Sequence, residues 1–160
     1  MKPIKIGIAG MGTVASGVVK VLERNQAEIT RRAGRGIEVA VVCERTPGRA
    51  AHLEERGVEV INDLSQLASH PDVDIVVELI GGYEPARSFV LEAIANGKHV
   101  VTANKALLAE HGNEIFQAAQ DKGVTVAFEA AVAGGIPVIK ALREGLSANR
   151  IEWIAGIING

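Results

Sequence analysis

Aromatic residues make up only 3% of this 160-residue chain (Tyr83, Phe89, Phe116, Phe128 and Trp153), so its core must be aliphatic. A single cysteine, Cys43, excludes an internal disulfide. With no basic-then-apolar leader at the N-terminus, it points to a reduced, cytoplasmic setting. No apolar run approaches the roughly 18 residues of a spanning helix, which argues against a membrane partner. Net charge is only −2, so no global field draws in nucleic acid. The one basic cluster, Arg31, Arg32 and Arg35 around Gly34 and Gly36, lacks neighbouring aromatics for base stacking and reads as a solvated loop. His52, His70, His99 and His111 are scattered, with no pair at metal-ligand spacing, and read as surface or internally satisfied side chains.

Val, Ile and Ala fill the space that aromatics leave, as buried parallel strands with covering helices require. Strands and helices alternate along the chain. Strands are predicted over Ile4–Ala9, Ile37–Cys43, Asp74–Leu79, His99–Thr102 and Val124–Phe128. Helices are predicted from Val14 to about Glu28, over Pro47–Arg56, Pro85–Ala95 and Lys105–Asp121, with a helical turn capped by Asn62 or Asp63. Strands joined by helical crossovers imply an α/β fold, a doubly wound parallel sheet with helices on both faces. Residues 1–130 form this domain. After Phe128 a small-residue loop leads to a helix from Pro137 to Leu146 and a strand-like segment, Ile151–Ile158. Residues 131–160 therefore read as a connecting helix and the first strand of an incomplete second domain, the strand looking cut rather than finished.

The stretch Gly7-Ile-Ala-Gly10-Met11-Gly12-Thr13-Val14-Ala15 joins the first strand to the first helix. That is the context of a Rossmann-type dinucleotide fingerprint. Gly10 permits the sharp turn, Gly12 lets the backbone approach a pyrophosphate, and the small Ala15 lets helix and strand pack closely. The free amides at the helix start then face the phosphates. The bland alternative is a structural tight turn.

Ligands of open α/β sheets sit at the carboxyl ends of the strands. Those ends carry Gly10–Val14, Glu44-Arg45, Ile80-Gly81-Gly82, Thr102-Ala-Asn104-Lys105 and Glu129–Gly135, one continuous cleft. After the second strand, an acidic residue would read the ribose hydroxyls of NAD and an arginine the extra phosphate of NADP. Glu44 and Arg45 supply both, which leaves the cofactor open between NAD and NADP with a lean to NADP; an exposed ion pair is the plain alternative. Lys105 opens a helix, where a cation is unfavourable unless an anion faces it. A carboxylate, phosphate or developing alkoxide would supply one; otherwise Lys105 is simply exposed. Glu129 with Gly134-Gly135 offers inward carbonyls for a cation, although spacing alone favours a tight connection.

Four segments in this order are far more specific: Gly10–Val14, Val77–Gly82, Val101-Thr102-Ala-Asn104-Lys105-Ala-Leu-Leu108 and Glu129–Pro137. With them the whole chain resembles bacterial homoserine dehydrogenase, which reduces aspartate semialdehyde to homoserine with NAD(P)H on the route to threonine, methionine and isoleucine. The resemblance implies Met11, Thr13 and Val14 on the pyrophosphate side and Arg45 near the adenosine ribose. It further implies Ile80 and Gly81 along the nicotinamide, with Thr102 beside them and Lys105 between cofactor and substrate in a supporting catalytic role. Glu129, Val132, Gly134 and Ile136 match the family's monovalent-cation (sodium) loop, mostly through carbonyl oxygens. The family's catalytic lysine and aspartate and its substrate-holding glutamate lie beyond residue 160, so the stretch is a cofactor half, expected to be inactive alone and to belong to a homo-oligomer at full length. A free-standing NAD(P) sensor is the competing reading. Sugar and inositol oxidoreductases share the Gly97-Lys-His-Val100 strand but continue it with Glu-Lys-Pro, which this chain lacks.

Overall fold

Ile6 and Ile8 point to one face of the first strand and Gly7 and Ala9 to the other, and this alternation repeats through the sheet. Val42 and Val77 join Ile6 and Ile8 in one core with Met11, Ala15, Val19 and Leu53. Val41, Cys43 and Val76 join Ala9 in the other, against Leu67, Phe89, Ile94, Leu107 and Ile115. Both sheet faces are thus buried, as the apolar strands demand. The computed structural model describes residues 1–157.

The elements in order are β1 (Ile4–Ala9), α1 (Thr13–Arg24), α2 (Gln26–Ala33), β2 (Ile37–Cys43), α3 (Ala51–Glu54), β3 (Glu59–Ile61), α4 (Leu64–Ser69), β4 (Ile75–Glu78), α5 (Ala86–Ala95), β5 (His99–Thr102), α6 (Lys105–Lys122), β6 (Val126–Ala127) and α7 (Val138–Lys140). The six strands form one parallel sheet in the order β3-β2-β1-β4-β5-β6. The order reverses between β1 and β4, which opens a crevice at the carboxyl ends of those strands. The predicted doubly wound α/β sheet is therefore the observed fold. Among the described residues no helix is long and apolar enough to cross a membrane.

Several boundaries differ from those predicted, each for a local reason. The first helix breaks at Asn25, whose φ of −108° and ψ of 17° leave the helical region, and resumes as α2. Arg31 and Arg32 accordingly lie on a helix rather than in a loop, both paired with Glu28 one turn back. Gly48, at φ 78°, cannot join a helix, so the segment from Pro47 becomes regular only at Ala51. The short β3, unforeseen, is too brief for a periodic signal and exists by pairing with β2. Of Val124–Phe128 only Val126 and Ala127 form the ladder. The helix after Pro137 holds regular turns over Val138–Lys140 and continues as a wider π turn over Ala141–Gly145. Residues 151–157, expected as a strand, join no ladder of the sheet, and an apolar alternation becomes a strand only when a neighbour pairs with it. Ile158, the end of that expected strand, lies outside the described residues.

Candidate functional site

The reversal between β1 and β4 is filled by the glycine turn. Gly10 has φ 88°, a conformation that L side chains rarely adopt. A Cβ there would stand 3.1 Å from the Leu79 carbonyl oxygen. Gly12, by contrast, is in ordinary extended geometry, and a Cβ there would meet nothing within 4 Å. Its absent side chain leaves room on the ligand side rather than relieving a clash within the protein.

Gly12 is also the N-cap of α1, and it supplies no side-chain cap. The starts of α4 and α6 are closed by Asp63 and Asn104, which accept from Ser65 N at 2.9 Å and Leu107 N at 3.1 Å. The first amides of α1 are left for an anion. Thr13 and Val14 form that first turn and are exposed, whereas the Met11 side chain is buried in the core.

A cavity of about 530 Å³ runs from this turn along the ends of β1, β2 and β4. Gly10, Met11, Gly12, Arg45 and Ile80 line it, as does Glu44. Cys43, Thr46, Arg49, Asn62 and Asp63 line it too, although none is a site residue in the sequence reading. The signal for Arg49 was present, since a second arginine four residues after Arg45 keeps positive charge beyond β2. Burial pushes the Cys43 thiol up to about 11, so it stays protonated and inert at neutral pH.

Glu44 turns inward. Its two carboxylate oxygens accept from Met11 N at 2.8 Å and Thr46 N at 2.7 Å, and Arg49 stands 3.8 Å away. Burial alone would raise its pKa, but these amides and the guanidinium outweigh it and hold the carboxyl below its ordinary value. Arg45 is exposed at the same end of the cavity.

The β4 and β5 ends are knotted together. Glu78, fully buried, accepts from Ile80 N (2.8 Å), Gly81 N (3.0 Å) and the Thr102 hydroxyl (2.6 Å). Thr102 is buried with its hydroxyl spent on Glu78 and on Asn104 N, so it braces the cleft from behind rather than facing it. Gly81 is exposed at φ 79°, and Lys105 is exposed at the first position of α6. Neither lines the cavity, though both stand at the same sheet end. Glu78 falls in the predicted strand and in the Val77–Gly82 segment but has no role of its own in the sequence reading; a lone acid within Ile75-Val-Val-Glu78-Leu-Ile80 is the signal for it.

In the last loop, both carboxylate oxygens of Glu129 accept from the first amides of the helix after Pro137, Ile139 N and Lys140 N, at 2.9 Å each. Its side chain is thus a helix cap. Val132, Gly134 and Ile136 are exposed, and Ala133 and Gly134 take φ 56° and 59°. Among the described residues no group of three His, Cys, Asp or Glu side chains could hold a metal ion.

Residues 10–129, which span the glycine turn and every strand end just described, match the homoserine dehydrogenase NAD-binding domain. The chain belongs to the homoserine dehydrogenase family. It is 64% identical over its whole length to homoserine dehydrogenase from Pseudomonas aeruginosa and covers 36% of that protein. The corresponding enzyme of Neisseria gonorrhoeae is 55% identical over the whole chain, which covers 37% of it. The crystal structure of a homoserine dehydrogenase from Thiobacillus denitrificans superposes with a TM-score of 0.92 at 62% identity, over 100% of this chain and 37% of that one. The chain thus spans a little over a third of the length of the relatives it matches, and it carries their oxidoreductase cofactor domain.

Proposed function

We propose that this chain is the cofactor-binding half of an NAD(P)-dependent homoserine dehydrogenase, interconverting L-aspartate 4-semialdehyde and L-homoserine within threonine, methionine and isoleucine synthesis. Residues 1–130 hold the cofactor, and residues 131–160 lead into a substrate and dimerisation domain. The full-length protein is a cytoplasmic homo-oligomer acting on a small-molecule substrate. The observation that carries the reading is the open N-terminus of α1: an uncapped helix start beside Gly12, where a Cβ would meet nothing within 4 Å, at the switch point of the sheet.

The residues present fit a dinucleotide from end to end. Gly12, Thr13 and Val14 offer backbone amides to the pyrophosphate, while Gly10 and Met11, whose amides donate to the Cys43 carbonyl and to Glu44, shape the turn that presents them. Arg45 takes the adenosine end, and because Glu44 is engaged by the protein's own amides, the arginine favours NADP over NAD. Ile80 and Gly81, with Thr102 behind them, bound the nicotinamide half. When bound, the nicotinamide supplies hydride transfer to and from the substrate carbonyl carbon. Lys105 stabilises negative charge on the substrate side, while the protonating groups lie beyond residue 160. The carbonyl oxygens of Glu129, Val132, Gly134 and Ile136 hold a monovalent cation such as sodium, which orders the loop after β6; the Glu129 carboxylate, already a helix cap, is not needed for it.

The test compares two proteins. The full-length protein should oxidise homoserine with NADP, followed by nicotinamide absorbance. The 160-residue chain should bind NADP in calorimetry yet show no turnover. Homoserine oxidation by the short chain would overturn the division of labour, and its absence from the full-length protein would overturn the activity.

A further inference from the structure

Glu78 is an expensive residue to keep where it stands. It is fully buried at the end of a central strand, and among the described residues no cation pairs with it. Its strand neighbours Val76 and Val77 are apolar and buried, so the carboxyl stands in apolar surroundings. A buried carboxyl in such a place is better explained by the geometry it imposes than by the stability it adds.

That geometry concerns the turn after β4. Gly81 and Gly82 have φ of 79° and 73°, and a Cβ on either would meet nothing within 4 Å. Packing at their Cα positions therefore does not fix their conformation; hydrogen bonds do. Glu78 Oε1 takes the amides of Ile80 and Gly81, and Asn104 Nδ2 donates to the Gly82 carbonyl at 2.7 Å. Thr102 closes the circuit, donating to Glu78 and accepting from Asn104 N at 3.0 Å. Asn104 in turn caps α6, which begins with Lys105. We infer that Glu78 is a positioning residue: through this circuit it makes the Ile80–Gly82 turn and the start of α6 a single rigid wall. Resting on the functional reading above, that wall is the one that sets the nicotinamide against the substrate.

The glycine turn and Arg45, which would hold the other half of the cofactor, lie outside the circuit. Losing it should therefore misplace the reacting ring without weakening the grip on the rest. Displacements on the order of 1 Å at a reacting centre cost about 100-fold in rate.

The experiment uses the full-length enzyme with Glu78→Gln and Asn104→Ser. Glutamine keeps one acceptor oxygen and sets an N–H against either the two turn amides or the Thr102 hydroxyl, so one side of the circuit loses its acceptor. Serine still caps α6 but drops the tie to Gly82. The expected result for both is kcat down by about tenfold or more, NADP affinity in calorimetry close to wild type, and faster hydrogen exchange at the Ile80 and Gly81 amides in Glu78→Gln. Unchanged kcat in both folded variants would overturn the inference. So would a parallel loss of kcat, affinity and thermal stability, the mark of a merely structural residue. Should Glu78→Gln fail to fold, Asn104→Ser decides alone on the same readings. A wild-type protein inactive on homoserine would sink the functional reading instead, and the amide exchange rates would still decide whether Glu78 anchors the turn.

Discussion

Two neighbouring residues of opposite charge, Glu44 and Arg45, divide the work at the end of β2. The glutamate clamps two backbone amides and the arginine faces outward, so only the latter is placed to meet a phosphate. Arg45→Ala should weaken NADP more than NAD, by about 1–3 kcal/mol, the worth of a charge-assisted contact. Isothermal titrations with both cofactors check it, and an equal loss for each would return the reading to Glu44. The clamp itself has a pH signature. The folded-state pKa of Glu44 lies below its ordinary 4.5, so its contribution is fully present above that value and is lost as pH falls through the depressed one. Thermal melts from neutral to acid pH should show this loss in the wild type. In Glu44→Gln, stability should be lower at neutral pH, because an amide N–H would oppose a backbone donor, and the acid limb should be shallower. Parallel curves would show that the clamp is energetically silent.

At the level of elements, the start of α1 is the proposed grip on the cofactor. Gly12→Val should abolish cofactor binding while leaving the fold intact, since the added side chain would enter open space on the ligand side. Circular dichroism and calorimetry on the same preparation test both halves; binding within twofold of wild type would remove the fingerprint reading. The elements that sequence exposes best are those whose cause is local. β2 and β5 follow from their β-branched runs, α4 from its Asp63 cap, and α6 ends at Gly123 as its left-handed geometry requires. Elements that exist only through a neighbour are the obscure ones: β3 has no signal without β2, and the segment from Ile151 has a strand's pattern without a partner. The same division holds in the site. Gly10, Gly12 and Arg45 are legible because their spacing is short-range. Glu78 and Glu44 are obscure because their roles lie in amides and hydroxyls that only the folded sheet brings near.

Over the whole molecule, the two well-filled cores contrast with the segment beyond α7. Trp153, Ile154 and Ile157 are 78%, 69% and 93% exposed. Apolar side chains presented this way recruit partners. The 160-residue chain should therefore self-associate with rising concentration, and removal of the residues after Arg150 should restore a monodisperse species in light scattering. Identical behaviour of the two lengths would locate any association elsewhere. In the full-length protein these side chains are proposed to be covered by the substrate domain.

The amide of Met11 is held by a carboxylate 33 residues further on, and Gly10 rests against the Leu79 carbonyl. A chain leaving the ribosome therefore makes the proposed phosphate-binding turn before β2 and β4 and completes it only after them. Until β2 and β4 have both docked on β1, the turn has neither its clamp nor its wall, and nucleotide in the cytosol finds nothing to hold. Once they dock, binding adds stability by mass action to finished domains alone. Nascent chains arrested before Leu79 should pass an immobilised nucleotide unretained, and those released after β6 should stay; retention of the shorter ones would show that the turn is competent by itself. The cofactor would thus act as an inspector of its own binding domain, rewarding completed sheets and ignoring partial ones.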